Sequence, residues 1–294
     1  MKLAGTRQRL LRSSLLLMVV GPVPLPAQTV SASPVGLVED MVRNELNSDS
    51  PTKFMYREHQ ETGHGWQTKL IVETKDAVAG MVVAIDGKPL TAEQRHHEEA
   101  RLEGLVNNPQ ELKRKQKEEK EDGDRTNRMV KALPEAFLYE FDGVETGRQG
   151  VGSPGDELVR LKFRPNPDFD PPSRAEQVLT GMKGYILIDK DKRRIAEIDG
   201  TLEKDVGFGW GILGRLDKGG RFVVQQGTVG KGVWEVTRMD LDFTGRILLF
   251  KKLVIKSTEI LSDFREAPPD LTFAQGVELL KKQAQSTPSD QSQR

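Results

Sequence analysis

Residues 185–258 read YILIDKDKRRIAEIDGTLEKDVGFGWGILGRLDKGGRFVVQQGTVGKGVWEVTRMDLDFTGRILLFKKLVIKST, and this stretch decides the fold. Apolar and polar side chains alternate along it in short runs, the period-two pattern of strands with one covered face. Strands are expected at 184–189, 193–202, 206–216, 220–229, 233–243 and 246–258. Gly-rich or charged turns separate them: Asp189-Lys190-Asp191-Lys192, Lys218-Gly219-Gly220, Gly230-Lys231-Gly232 and Thr244-Gly245. Connections this short join only antiparallel neighbours.

The rhythm extends upstream. Strands are expected at 136–142 and 156–163, and three more at 53–60, 66–74 and 77–85, the last ending in the Asp86-Gly87 turn. Residues 77–85 are the longest apolar stretch outside the N-terminus. The segment 164–172, RPNPDFDPP, is excluded from any central strand because Pro donates no ladder hydrogen bond. Helices fill the gaps. Leu37, Val38, Met41, Val42 and Leu46 recur at helical spacing over 35–46. Ser173 caps a short helix over 173–182, and a last helix covers about 271–283. Between the third and fourth strands lies a charged helical arm, 91–132, opened by a Thr91–Gln94 capping box and broken at Asn107-Asn108-Pro109. Residues 111–128 of the arm hold seven basic and six acidic side chains, so its expected role is a solvated face laced with i,i+4 pairs, or a docking arm. The expectation is a mainly antiparallel β (α+β) fold: a curved eleven-stranded half-barrel with an N-terminal helix and an inserted charged arm. It forms one domain over 34–284, with a polar, disordered tail over 285–294.

Composition sets the address. The 294 residues carry 44 basic and 44 acidic groups, four His and no Cys. Without Cys there are no disulfides, thiolate metal sites or cysteine nucleophiles. Lys2, Arg7, Arg9 and Arg12 precede the apolar run 15–20, and Gly21, Pro22, Pro24 and Pro26 follow it. That is a secretory leader over about 1–28, its cut falling within 27–33. Its apolar core is too short to span a bilayer, and no Cys is present for lipid attachment. Its removal leaves 40 basic against 44 acidic groups, a balance that does not suit a general nucleic-acid binder. A periplasmic or secreted protein with no permanent membrane span is expected.

The block 185–265 resembles the LolA/LolB-like family of envelope proteins, the bacterial lipoprotein-carrier fold. The resemblance is carried by the strand 185–189 (YILID), the return strand 194–198 (RIAEI), Trp234 in a late strand, Gly245-Arg246-Ile247 at a strand restart, and Asp263-Phe264-Arg265 closing the sheet. It implies an N-terminal helix on an eleven-stranded half-barrel that cups an apolar ligand such as an acyl chain. The charged arm is longer than such carriers need, and no ligand-handling Arg is carried over.

Candidate sites follow from residue types. Gly209-Trp210-Gly211-Ile212-Leu213-Gly214 matches G-x-G-x-x-G, yet a turn into another strand follows it rather than a helix N-terminus, so no dinucleotide site is expected. At period two, Gly207, Gly209 and Gly211 form a bare stripe for close approach or sheet bending. Phe208, Trp210, Ile212, Phe222, Val224 and Trp234 are the expected apolar wall of the ligand site. His96-His97-Glu98-Glu99 lacks H-E-x-x-H spacing and reads as a solvated helix face; no metal or cofactor is expected. No G-x-S-x-G elbow occurs, and Ser153 sits in a Gly-Ser-Pro-Gly turn. The expected function is non-catalytic binding of a lipid or other apolar small molecule in the concavity. The alternatives are an envelope-protein interaction or stress-sensing module using the arm, and a hydrolase.

Overall fold

The computed structural model describes residues 33–48, 52–209, 213–248 and 251–286. The expected leader, the tail beyond 286, and Trp210, Gly211 and Ile212 lie outside the described residues.

Helix α1 (Pro34–Leu46) opens as its sequence dictates. The Ser33 hydroxyl accepts from the Gly36 N–H at 3.1 Å, and Pro34 takes the first turn. Three strands follow, β1 (Phe54–Thr62), β2 (Gly65–Glu73) and β3 (Val78–Ile85), with a two-residue β4 (Lys88–Pro89). The arm is two helices, α2 (Ala92–Asn107), N-capped by Thr91 as expected, and α3 (Pro109–Ala136), N-capped by Asn108 at the expected break. Helix α3 runs through Pro134 instead of ending there; 28 residues make it about 42 Å long. Then come β5 (Phe137–Thr146), β6 (Glu157–Pro165), the short α4 (Arg174–Gln177) with a 3-10 turn, β7 (Met182–Asp189) and β8 (Ile195–Leu202). Strands β9 (Val206–Phe208), β10 (Gly214–Leu216), β11 (Arg221–Val229), β12 (Val233–Ile247) and β13 (Lys251–Glu266) precede α5 (Phe273–Ser286). Residues 285 and 286, expected in the tail, thus close a helix.

All strands join one open antiparallel sheet in the order β4-β3-β2-β1-β13-β12-β11-β8-β7-β6-β5, with β10 beside β12 and β9 beside β10. The sheet has thirteen strands where eleven were expected, because β4 is added and the expected strand 206–216 splits into the β9–β10 hairpin. The last hairpin turn is also displaced. Expected at Thr244-Gly245, it lies beyond Ile247, and β12 runs straight through Gly245. Glycine serves there because a Cβ would collide with the Arg215 carbonyl of the neighbouring β10. Register shifts interrupt five pairings, β1/β13, β2/β3, β5/β6, β7/β8 and β11/β12. Each such bulge bends and twists its strand, which curves a sheet this wide without closing it.

Two apolar cores sit at opposite ends of the sheet. The larger packs Leu37, Val38, Met41 and Val42 of α1 with Leu133 and Ala136 of α3 onto Leu161, Phe163, Ile186 and Ile188. The smaller packs Phe273, Val277 and Leu280 of α5 with Leu102 of α2 onto Leu70, Val72, Ala79 and Met81. Helix α3 belongs to both: Leu112 touches the second core, and Met129, Val130, Leu133 and Ala136 the first. The charged arm is therefore a strap across one face of the sheet.

Candidate functional site

The strapped face can be followed strand by strand. Alternation places Lys69 and Ile71 of β2 opposite in direction to Leu70 and Val72, which meet α5. Glu58 and Gln60 lie beside Lys69 and Gln67, Glu259 beside Gln60, and Ser257 beside Leu241, a member of the larger core. One continuous trough thus runs from α1 to the β3 edge beneath α3.

Its α1 end is filled by the larger core. Its middle is polar. Lys69 Nζ donates to Glu58 Oε1 at 2.7 Å and to Gln60 Oε1 at 3.2 Å, while Gln60 Nε2 donates to Glu259 Oε1 at 2.8 Å. Its far end, under α2 and α3, holds a cavity of about 430 Å³. Ile71, Val78, Val82, Leu102 and Leu105 line it with aliphatic surface, and Glu58, Lys69, Lys115 and Glu119 form the rim. The rim charges are paired, Glu58 with Lys69 and Glu119 with Lys115, the latter at 2.8 Å.

The arm holds the β3 edge that walls this cavity. The Val82 N–H donates to Glu98 Oε1 at 2.8 Å, and the Val78 N–H to Glu119 Oε2 at 3.2 Å. Arg101 Nη2 donates to the Gly80 carbonyl at 2.8 Å while its guanidinium grips Glu98. These three groups take the place of a neighbouring strand and deny the edge to other chains. Glu98, next to the His pair, thus works as an edge cap, whereas His97 stands 3.9 Å from Glu93 with both side chains exposed.

Of the expected wall residues, Phe208, Phe222 and Val224 lie at the filled end, whereas Trp234 belongs to a separate cluster. Phe208 and Phe222 pack against the larger core, and Val224 pairs across to Ile198 and Met239. Trp234 is only 7% exposed and clusters with Val151, Leu158, Leu187 and Ala196, its Nε1–H donating to the Ile195 carbonyl at 2.8 Å. Of the expected glycine stripe, the Gly207 carbonyl accepts from Gln177 Nε2, and Gly209 adopts a φ of +56° against Leu213 of its own turn. The aliphatic lining of the cavity was not singled out from sequence. Its signal was the apolar run 77–85 followed directly by an arm able to fold over it.

A second hollow, about 500 Å³, opens beside α1 where β12 and β13 part beyond the Arg238–Ile260 pair. Glu73, Glu235, Lys53, Arg194 and Trp234 line it. Burial pushes the Glu235 carboxyl up to about 7, and the neighbouring Glu73 charge adds to the rise. Glu73 is itself raised by burial, against the Phe54 N–H bond and Lys53, which pull it down. A carboxyl whose folded pKa exceeds its unfolded value binds more protons folded, so stability falls as pH rises from about 4.5 to about 7. Glu235→Gln is expected to remove much of that fall and to stabilise the protein by about 1–2 kcal/mol at pH 8, with little change at pH 4. Urea unfolding midpoints of parent and variant at the two pH values check this; an identical pH response in both would refute it.

No family model and no curated protein matches this sequence. Among solved structures it is similar to a domain assigned to outer membrane lipoprotein sorting from Vibrio parahaemolyticus, at 8% identity over 83% of this chain and 97% of that one, with a TM-score of 0.32. It is also similar to a DUF1329 family protein from Desulfovibrio piger, at 12% identity over 82% and 96% with a TM-score of 0.32. A third is MucB in complex with MucA(peri), at 9% identity over 79% and 99%, with a TM-score of 0.22.

Proposed function

We propose that the protein is a non-catalytic, exported binder of an apolar ligand, such as a lipid acyl chain, which enters the cavity beneath α3. The observation carrying this reading is the aliphatic lining, Ile71, Val78 and Val82 from the sheet and Leu102 and Leu105 from α2 above it. At about 430 Å³ the hollow lies within the range of small-ligand sites, roughly 300–1,000 Å³. Burying apolar surface there is worth about 25 cal/mol per Å². Phe208, Phe222 and Val224 then back the closed end of the same trough. Export rests on the leader expected over 1–28; among the described residues, no helix is long and apolar enough to cross a membrane.

The test begins with native extraction from the envelope and lipid mass spectrometry, then displacement of an apolar dye from the delipidated protein. Val82→Trp, filling the hollow from its sheet side, is expected to weaken dye binding about tenfold or more, with a near-parental melting temperature. A folded variant that binds dye as well as the parent, or a parent with neither lipid nor dye uptake, would end the proposal. A second reading, protein capture by the arm, draws on residues 121–128 of α3, all of them exposed. Charge reversal across that outer surface, leaving Glu98 and Glu119 untouched, separates the two: only capture would suffer.

A further inference from the structure

We propose that the tip formed by β12, β13 and the start of β10 docks onto an anionic lipid surface. Twelve large apolar side chains are exposed among the described residues, and five of them, Leu213, Ile247, Leu248, Val254 and Ile255, lie at this one end. Leu248 is 62% exposed and Val254 56%. The two hairpins stand side by side, since β10 pairs with β12 and the Leu248 N–H donates to the Leu213 carbonyl. An apolar concentration of this kind on an otherwise charged molecule marks a contact surface.

Charge selects the partner. Between Asp242 and Glu259 the sequence contains no acidic residue but four cations, Arg246, Lys251, Lys252 and Lys256, all of them exposed. Lys256 lies across from Asp242. Arg246 and Lys252 face each other directly across the ladder, an arrangement that like charges make unfavourable and that an anionic surface would relieve. Most charges on the arm, by contrast, have opposite partners within the same helix. Apolar side chains at a tip with a basic collar behind them match the interface of a bilayer containing anionic lipid: the apolar groups enter the acyl boundary while the cations meet phosphates.

The backbone supplies a third observation. Leu248 has a φ of +49°, a left-handed conformation that Gly or Asn accepts far more easily than Leu. A strained, exposed leucine contributes nothing evident to the fold, which points to a role outside it.

That strain also makes a clean test possible. Leu248→Asn should leave folding unchanged or improve it, because Asn tolerates the left-handed region, while removing the apolar tip. Parent and variants, prepared identically, are sedimented with phosphatidylcholine vesicles with and without phosphatidylglycerol, at low and high salt. Expected are parental binding that requires phosphatidylglycerol and weakens with salt, about fivefold or greater loss in Leu248→Asn, and about tenfold or greater loss in Lys251→Glu/Lys252→Glu. Val82→Trp should bind vesicles like the parent, so a failure of the cavity reading and a failure here are distinguishable. Equal binding to both vesicle types, or no effect of either tip variant, overturns the proposal. So does a Leu248-dependent self-association in the ultracentrifuge without vesicle binding, which would make the tip a protein interface.

Discussion

Gly184→Val is expected to destabilise the protein by more than about 3 kcal/mol, a drop of roughly 6–12 °C in melting temperature. Gly184 sits mid-strand in β7, paired with Gly200 of β8 on one side and Phe163 of β6 on the other. A Cβ built there would overlap the Asp199 carbonyl and crowd the Gly200 Cα. Both obstacles are backbone of the adjoining strand, so relief requires breaking the β7–β8 ladder rather than turning a rotamer. The ladder carries Ile186 and Ile188 of the larger core, and their burial would be lost with it. Gly104→Ala is the control. Gly104 lies in α2 with open space around its Cβ position, and alanine there should stabilise by up to about 1 kcal/mol. Thermal unfolding of the two variants against the parent decides the matter; near-equal melting temperatures for Gly184→Val and the parent would sink it.

The second large effect concerns how α1 is fastened. Glu45, in the last turn of α1, accepts from Arg194 Nε at 2.8 Å, from Arg194 Nη2 at 3.1 Å and from the Ile195 N–H at 2.7 Å. The Glu45 and Arg194 side chains are only 10% and 18% exposed, so solvent screens this two-pronged pair weakly. Glu45→Ala is expected to cost about 2–4 kcal/mol, because it leaves a half-buried guanidinium and an amide without their acceptor. The helix it ties down supplies Leu37, Val38, Met41 and Val42 to the larger core, so loosening it also opens the filled end of the trough. A double-mutant cycle with Arg194→Ala isolates the pair. A coupling of about 1.5 kcal/mol or more is expected, and one near zero would show that the contact contributes only packing.

Much of the fold was legible because its causes are local. Thr91 and Ser173 each cap the helix they were expected to cap, since a side-chain oxygen reaching an N–H two or three residues on needs no distant partner. Strand alternation and antiparallel pairing likewise follow from side-chain period and turn length. Expectations failed where a residue's role depends on a remote neighbour. Gly245 looks like a turn residue until β10 is brought beside it, and Pro134 like a stop until the packing of Leu133 and Ala136 holds the helix through it. Nothing local to Trp234 shows that its indole N–H meets the Ile195 carbonyl, 39 residues away.

By itself, then, the sequence determined an antiparallel sheet, most of its helices, and the absence of thiol chemistry. Tertiary structure alone decided that the arm is a strap whose Glu98, Arg101 and Glu119 seal an edge strand, and that an aliphatic-lined hollow lies beside β3. The physical reason is separation along the chain. Periodicity and capping act across a few residues, whereas a cavity is the space left between elements brought together from far apart, and no local pattern records its size or place.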